Sequence, residues 1–184
     1  MTKPIYKQAQ TVLEQGGIIA YPTEAVWGLG CDPYNQKAVL KILDLKQRPI
    51  EKGLILVAAN RQQFTGLCDS LESAQIDKLD ESWPGPTTWL IPDPARLIPD
   101  WIRGEHETVA VRVSAHPLVK ALCQAFGGPI VSTSANAAGE PEIRSSLIIE
   151  QQFGDRIDLI IDGELGSSSE PSQIRDLISN RVIR

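Results

Sequence analysis

The sequence lacks several features that would place a protein in a whole functional class. No apolar run within its 184 residues approaches the roughly 20 residues that span a bilayer, so we expect no transmembrane helix and no membrane partner. The first residues contain no apolar stretch typical of a signal peptide. The three cysteines, Cys31, Cys68 and Cys123, are widely spaced and odd in number, which favours reduced thiols in the cytoplasm over disulfides or a zinc site.

Common nucleotide-binding and hydrolase motifs are also missing. The pattern G-x-x-x-x-G-K-[ST] does not occur, which excludes a P-loop enzyme, and Gly28-Leu-Gly30 lacks the third glycine of a dinucleotide fingerprint. There is no G-x-S-x-G for a serine hydrolase, and His106-Glu107 is not followed by the second histidine of a zinc protease. Because the chain has only two histidines, we expect no protein-bound metal centre.

The overall charge is mildly acidic. Lysine and arginine number 18 and aspartate and glutamate 23, which gives a formal net charge of −5. This balance argues against a protein that binds polyanions through its bulk charge, although it leaves room for a local basic site.

What the sequence does contain is an ordinary globular composition, with 42% hydrophobic and 22% charged residues, in which strand and helix patterns alternate. We predict one α/β domain over residues 1–184, built on a mixed sheet with flanking helices. Apolar runs predict strands at 17–21, 54–58, 88–91, 109–113, 130–133 and 157–161, with 173–177 extended. Apolar spacing predicts helices at 5–15, 36–46, 61–67, 74–81, 116–126 and 145–153, and long loops at 22–32 and 92–106.

Several of the predicted strands run directly into polar loops, where open α/β sheets often bind ligands. The first loop is Tyr21-Pro-Thr-Glu-Ala-Val-Trp-Gly-Leu-Gly30, and Trp83-Pro-Gly-Pro-Thr87 is a second, rigid turn. From the residues alone, either segment is as well explained by a plain connection whose prolines and glycines shape the backbone.

Two cations, Lys46 and Arg48, lie two positions apart at the end of a predicted helix. If the chain is extended there, both side chains point the same way, and together they suit a triphosphate. The alternative is that they only complement the negative end of the helix dipole.

Two further segments suit anion binding. Ser132-Thr-Ser134-Ala-Asn136 follows an apolar strand, and its hydroxyl and amide groups either cradle a phosphate or bond their own turn. Arg112 lies within a valine-rich strand, where it is either buried against an anion or placed on a wet face.

Taken in order along the whole chain, these blocks resemble the YrdC/TsaC family of threonylcarbamoyl-adenylate synthases. The blocks are the Tyr-Pro-Thr-Glu loop, Lys46-x-Arg48-Pro49, Trp83-Pro-Gly-Pro-Thr87, Arg112, Ser132-Thr-Ser-Ala-Asn136 and Pro171-Ser172. The family's Lys-x-Arg…Ser-x-Asn signature falls on Lys46, Arg48, Ser134 and Asn136. The resemblance implies a twisted, open mixed sheet with a large concave face.

The resemblance also implies the reaction. L-threonine, bicarbonate and ATP give threonylcarbamoyl-AMP and pyrophosphate, and downstream transfer proteins carry the threonylcarbamoyl group to a tRNA adenosine beside the anticodon. Catalytic and ATP-binding roles then fall on Lys46, Arg48, Ser134 and Asn136. Mg²⁺ would accompany ATP through its phosphates, without a protein cage. Arg112 would pair with the threonine carboxylate, while Thr23, Ser132 and Ser172 would complete the substrate pocket.

The sequence departs from the family pattern at some positions, and it leaves other functions possible. Trp27 replaces the more usual tyrosine, so we expect a pocket wall there, and we expect residues 163–172 to act as a mobile lid. The main alternative is an RNA-binding protein that uses its concave face on tRNA or double-stranded RNA without turnover. A related carbamoyl-adenylate activity on another acceptor, with serine in place of threonine for example, is a further alternative.

Overall fold

Eight strands form one mixed sheet in the computed structural model of the chain, which describes residues 3–184. The strands are β1 (Ile19–Pro22), β2 (Trp27–Gly30), β3 (Ile55–Ala58), β4 (Thr87–Pro92), β5 (Thr108–Val113), β6 (Ile130–Ser134), β7 (Leu159–Ile160) and β8 (Gln173–Asp176). Their order across the sheet is β7-β1-β2-β6-β3-β5-β4-β8. The pairs β1/β7, β3/β5 and β4/β8 are parallel, and the other neighbours are antiparallel.

The helices are short and flank the sheet. They are α1 (Pro4–Glu14), α2 (Gln36–Leu45), α3 (Thr65–Cys68), α4 (Ser73–Ser82), α5 (Asp100–Arg103), α6 (Pro117–Phe126) and α7 (Ser146–Phe153), with 3₁₀ turns at Ile50–Lys52, Arg61–Phe64 and Gly154–Arg156. Helix α2 begins where the side chain of Asn35 accepts a hydrogen bond from the Ala38 amide, and α6 ends at Gly127 in the left-handed conformation. No helix of residues 3–184 is long and apolar enough to cross a membrane.

The strands bury both faces of the sheet, but unequally. On one face Leu56, Val111 and Val131 belong to a large core that includes α2 and α4. On the other face Val57 and Ile130, whose side chains alternate with those, pack in a smaller core against α1 and α6. Each fully buried aliphatic side chain stabilises the fold by about 1.5–3 kcal/mol.

Helices α1 and α6 cover only part of that second face. Further along the same strands the side chains of Ile55, Ala110, Arg112 and Ser132 line a cavity of about 550 Å³. Ile55 lies opposite Ser132, and Val57 lies opposite Arg112, so the apolar packing under the helices continues directly into a polar floor. The cavity is therefore built on hydrogen-bonded strands and not on loops alone.

Two sequence-based predictions of local structure are wrong. Residues 27–30 form β2 and not part of a loop, because glycine at position 30 lets the strand approach its neighbours: a Cβ there would lie 2.7 Å from the Val131 carbonyl oxygen and 2.8 Å from the Tyr21 ring. Residues 100–103, expected within an extended loop, form the single turn α5. The α/β class and the mixed sheet are confirmed.

Candidate active site

One cavity contains every residue that the sequence analysis assigned to a substrate or nucleotide. It is lined from the β1–β2 turn, the end of α2, the floor strands β5 and β6, and the segment before β8, by Thr23, Lys46, Arg48, Arg112, Ser132, Ser134, Asn136 and Ser172. Residues that are far apart in sequence are thus brought within one space large enough for a nucleotide.

Lys46 links the end of α2 to the end of β6. Its side chain is only 5% exposed, and its ammonium group donates hydrogen bonds to the backbone carbonyls of Ser134 and Asn136, the second at 2.6 Å. Burial, and then the neighbouring Arg48, lowers the pKa of Lys46 to about 8. An ammonium has three hydrogens, so one donor remains after both carbonyls are satisfied.

Arg48 reaches the cavity by a different route from the one expected. The backbone between the two cations is not extended, because Gln47 adopts a left-handed conformation with φ 49°. The Arg48 guanidinium is anchored on the Gly53 carbonyl through Nε at 3.1 Å and Nη2 at 2.9 Å. Burial, and then the nearby Arg184, which also lines the cavity, lowers the pKa of Arg48.

Arg112 is buried in β5 against an acid from the chain itself. Its Nη1 atom lies 2.9 Å from Oε1 of Glu24, which also accepts a hydrogen bond from the Ser114 hydroxyl at 2.6 Å. Burial raises the pKa of Glu24, but the attraction of Arg112 and the Ser114 hydrogen bond outweigh it, and the net pKa is lowered. The buried interpretation of Arg112 is therefore correct, with Glu24 as the anion it faces.

The hydroxyl groups that line the cavity differ in the hydrogen bonds that they already make within the protein. Thr23 Oγ1 donates to the Val26 carbonyl at 2.7 Å, which holds the β1–β2 turn. The Ser172 hydroxyl shares a hydrogen bond with Thr88 Oγ1 at 2.8 Å, which ties the segment before β8 to β4. Ser132 is 8% exposed and lies on the floor of the cavity, separated from Arg112 by strand β3.

Asn136 uses its side-chain amide within its own loop. Its Nδ2 group donates to the Glu140 carbonyl at 2.6 Å and to the Ala137 carbonyl at 3.3 Å. Its Oδ1 atom is buried and has no partner among the described residues. The side chain of Asn136 therefore holds the loop that follows β6.

The sequence analysis missed several charged residues of the cavity. Lys52, Arg103 and Arg184 bring the basic side chains in its lining to six, against the acids Glu24, Glu142 and Glu170. No sequence motif marks Arg184 as a cavity residue. Its backbone exchanges hydrogen bonds with Ile174, and its Nη2 atom donates to the Ser172 carbonyl at 3.3 Å, which places its side chain in the cavity. The local basic site that the net charge left possible does exist.

Trp27 does not line the cavity as expected, whereas the mobility of the segment 163–172 stays a prediction. Trp27 is 2% exposed and lies in the large core, not in the cavity wall, because β2 turns its side chain to the other face. The segment is fastened to the β1–β2 turn by hydrogen bonds from the Gly166 amide to the Thr23 carbonyl at 2.9 Å and from the Ser168 amide to the Glu24 carbonyl at 3.1 Å.

Comparison with known proteins assigns the chain to a family. A family model for Sua5, YciO and YrdC proteins, described as "Telomere recombination", matches residues 11–184. The chain belongs to the Sua5/YciO/YrdC family. The family prediction made from the sequence blocks is thereby confirmed.

Relatives of this Sua5/YciO/YrdC chain match it along nearly its whole length. A protein of Stutzerimonas stutzeri is 55% identical over 178 residues, which are 97% of this chain and 95% of the relative. A protein of Cellvibrio japonicus is 49% identical over 181 residues, covering 98% and 95%. Both are named threonylcarbamoyl-AMP synthase.

Solved structures share the same fold. P. abyssi Sua5 complexed with L-threonine superposes with a TM-score of 0.85 and 32% identity, covering 93% of this chain and 50% of that one. E. coli YciO has a TM-score of 0.86 and 25% identity, covering 98% and 88%. The chain therefore spans about half of the archaeal Sua5 and most of YciO, and the predicted fold class is confirmed.

Proposed function

We propose that this chain is a threonylcarbamoyl-AMP synthase, which converts L-threonine, bicarbonate and ATP to threonylcarbamoyl-AMP and pyrophosphate. One observation carries the proposal. A single cavity combines basic side chains suited to a triphosphate with a buried arginine and hydroxyl groups suited to an amino acid. The synthase relatives, about half identical over nearly the full chain, support the same reaction.

The proposed chemistry has two steps. The threonine ammonium and bicarbonate first give an N-carboxylate, water and a proton. One oxygen of that carboxylate then attacks the α-phosphorus of ATP, and the bond from this phosphorus to the bridging oxygen breaks, so that pyrophosphate leaves. Negative charge moves onto phosphoryl oxygens in the second step, and positioning and charge stabilisation are the main tasks for the protein.

The basic end of the cavity would perform those tasks. The third hydrogen of Lys46 is directed to a phosphate, since the other two are held by carbonyls. Arg48 neutralises charge on the same triphosphate. Ser134 and Asn136, which line the same space, would hydrogen-bond the phosphates or the adenylate.

The opposite end would bind threonine. Arg112 pairs with the threonine carboxylate, because its second edge is not used by Glu24. Thr23, Ser132 and Ser172 line the same cavity and would contact the rest of the amino acid.

Mg²⁺ would enter with ATP. Within residues 3–184 no group of three or more His, Cys, Asp or Glu side chains is placed to hold a metal ion, and basic groups predominate in the cavity. The donor set therefore suits an ion carried by phosphate oxygens, and its chemistry there would be to neutralise the leaving pyrophosphate. The product would pass in the cytoplasm to proteins that transfer its acyl group to a tRNA adenosine beside the anticodon.

Pyrophosphate release by the purified protein tests the proposal. Release must require both L-threonine and bicarbonate, and Lys46→Ala must abolish it. Lys41→Ala, on the exposed side of the same helix, is the matched control and must retain it. Absence of release with any amino acid, together with RNA binding that weakens steeply with salt, would instead favour the RNA-binding alternative.

A further inference from the structure

The ion pair between Glu24 and Arg112 suggests a role for an acid that the reaction itself does not use. We propose that Glu24 is a positioning residue, which holds one edge of the Arg112 guanidinium so that the other edge presents to the carboxylate of the amino-acid substrate. This inference rests on the proposed function and names the residue that shapes its amino-acid subsite.

The contacts of Glu24 are concentrated on one oxygen. Oε1 accepts from Arg112 Nη1 at 2.9 Å, from the Ser114 hydroxyl at 2.6 Å and from the Ala115 amide at 3.2 Å. The other oxygen, Oε2, is buried and has no partner among the described residues. Because Oε2 is closed off, it does not contact a substrate directly, and Glu24 acts through Arg112.

The lowered pKa of Glu24 makes it poorly suited to act as a general base. Its pKa is held below the ordinary value by Arg112 and Ser114 despite burial, so the carboxylate stays ionised and is a weak proton acceptor near neutral pH. What the ionised group supplies is orientation: an arginine fork recognises a carboxylate only when its plane is fixed.

The backbone of Glu24 is fixed independently of its side chain. The Ser168 amide donates to the Glu24 carbonyl at 3.1 Å, and a Cβ at Gly166 would lie 2.8 Å from both the Cα and the carbonyl oxygen of Glu24. Strand β5 therefore holds the carboxylate while the segment 163–172 holds the main chain, and little freedom remains for the guanidinium between them.

Steady-state kinetics on Glu24→Gln test the inference. Glutamine keeps the size and one acceptor oxygen but removes the charge. We expect the KM for threonine to rise about tenfold, since a misplaced binding group weakens recognition of the whole substrate. The KM for ATP should stay within about twofold, because Lys46 and Arg48 lie at the other end of the cavity, and Glu81→Gln, an exposed acid on α4, should change neither.

A double-mutant cycle separates positioning from a general structural effect. In an Arg112→Lys background, Glu24→Gln should add little to the threonine KM, because lysine has no planar fork to orient. Equal rises in both KM values, an undiminished effect in that background, or unchanged kinetics would overturn the role of Glu24. If the wild type neither releases pyrophosphate nor binds threonine in calorimetry, the proposed function fails first, and the inference falls with it.

Discussion

The ammonium nitrogen of Lys46 lies 2.6 Å from the backbone carbonyl oxygen of Asn136, so the lysine side chain of the Lys-x-Arg…Ser-x-Asn signature meets the main chain of its second half and not the side chains there. The same ammonium also bonds the Ser134 carbonyl. Lys46 thus has a structural task, closing the loop after β6 onto α2, in addition to the catalytic one proposed for it.

We expect Lys46→Met to lower both stability and activity. Two carbonyls lose their donor, and an unsatisfied buried polar group costs about 1–3 kcal/mol, part of which is offset because a buried charge is also removed. Urea denaturation should show a reduced free energy of unfolding, and pyrophosphate release should be lost. Lys41→Met, at an exposed position of α2, should stay within about 0.5 kcal/mol of the wild type; an equal loss there would contradict the assignment.

ATP binding should weaken as the pH rises through about 8, where Lys46 loses its proton. The free energy of unfolding should instead increase with pH over this range. Because the pKa of Lys46 is lower in the folded protein than the value of about 10.4 for lysine in the unfolded chain, the unfolded chain binds more protons between pH 8 and that value. The cost of burying the charged amine is complete below pH 8 and is relieved across that window. Calorimetric titration with ATP at pH 7 and 9 measures the first effect, and a pH dependence that persists in Lys46→Met would assign it to another group.

Asn136→Asp should impair nucleotide binding more than Asn136→Ala does. The aspartate places an oxygen where Nδ2 now donates to the Glu140 and Ala137 carbonyls, and its negative charge repels phosphate. Alanine merely removes those bonds. The Kd for ATP, measured on both variants, should therefore rank wild type, alanine and aspartate in order of increasing value, and the reverse order of the two variants would show that repulsion is not the main effect.

Gly166→Ala should raise the KM for threonine without a comparable effect on ATP. The added Cβ would meet the Glu24 main chain at 2.8 Å, and either the segment 163–172 or the β1–β2 turn must shift. Overpacking of this kind costs about 1–3 kcal/mol, which thermal unfolding would register. Gly128→Ala is the control, because a Cβ there meets nothing within 4 Å, and it should leave both measurements unchanged.

The sequence was enough to predict the family and a set of residues that line the cavity, but not the hydrogen bonds between them. Lys46, Arg48, Ser134 and Asn136 are recognisable as a set, and all four line one cavity. The hydrogen bonds of Lys46 cannot be predicted from the sequence, because every residue has a backbone carbonyl and its side chain does not show whether a lysine donates to it.

Contacts between segments that are distant in sequence could not be predicted either. Glu24 was visible in the Tyr-Pro-Thr-Glu block, but nothing local indicates that it meets Arg112 in β5. Strand β2 was hidden because glycines at 28 and 30 resemble loop residues, whereas here glycine allows close packing against Tyr21 and the Val131 backbone.

The far wall of the cavity has a consequence for how the protein is made. Ser172, Ile174, Ile183 and Arg184 are the last lining residues in chain order, and β8 is held in the sheet by pairing with β4. A ribosome therefore makes the floor strands β5 and β6, and Lys46 and Arg48, before it makes this wall. The wall that carries Ser172 can form only after β8 has been synthesised and has paired with a strand made well before it.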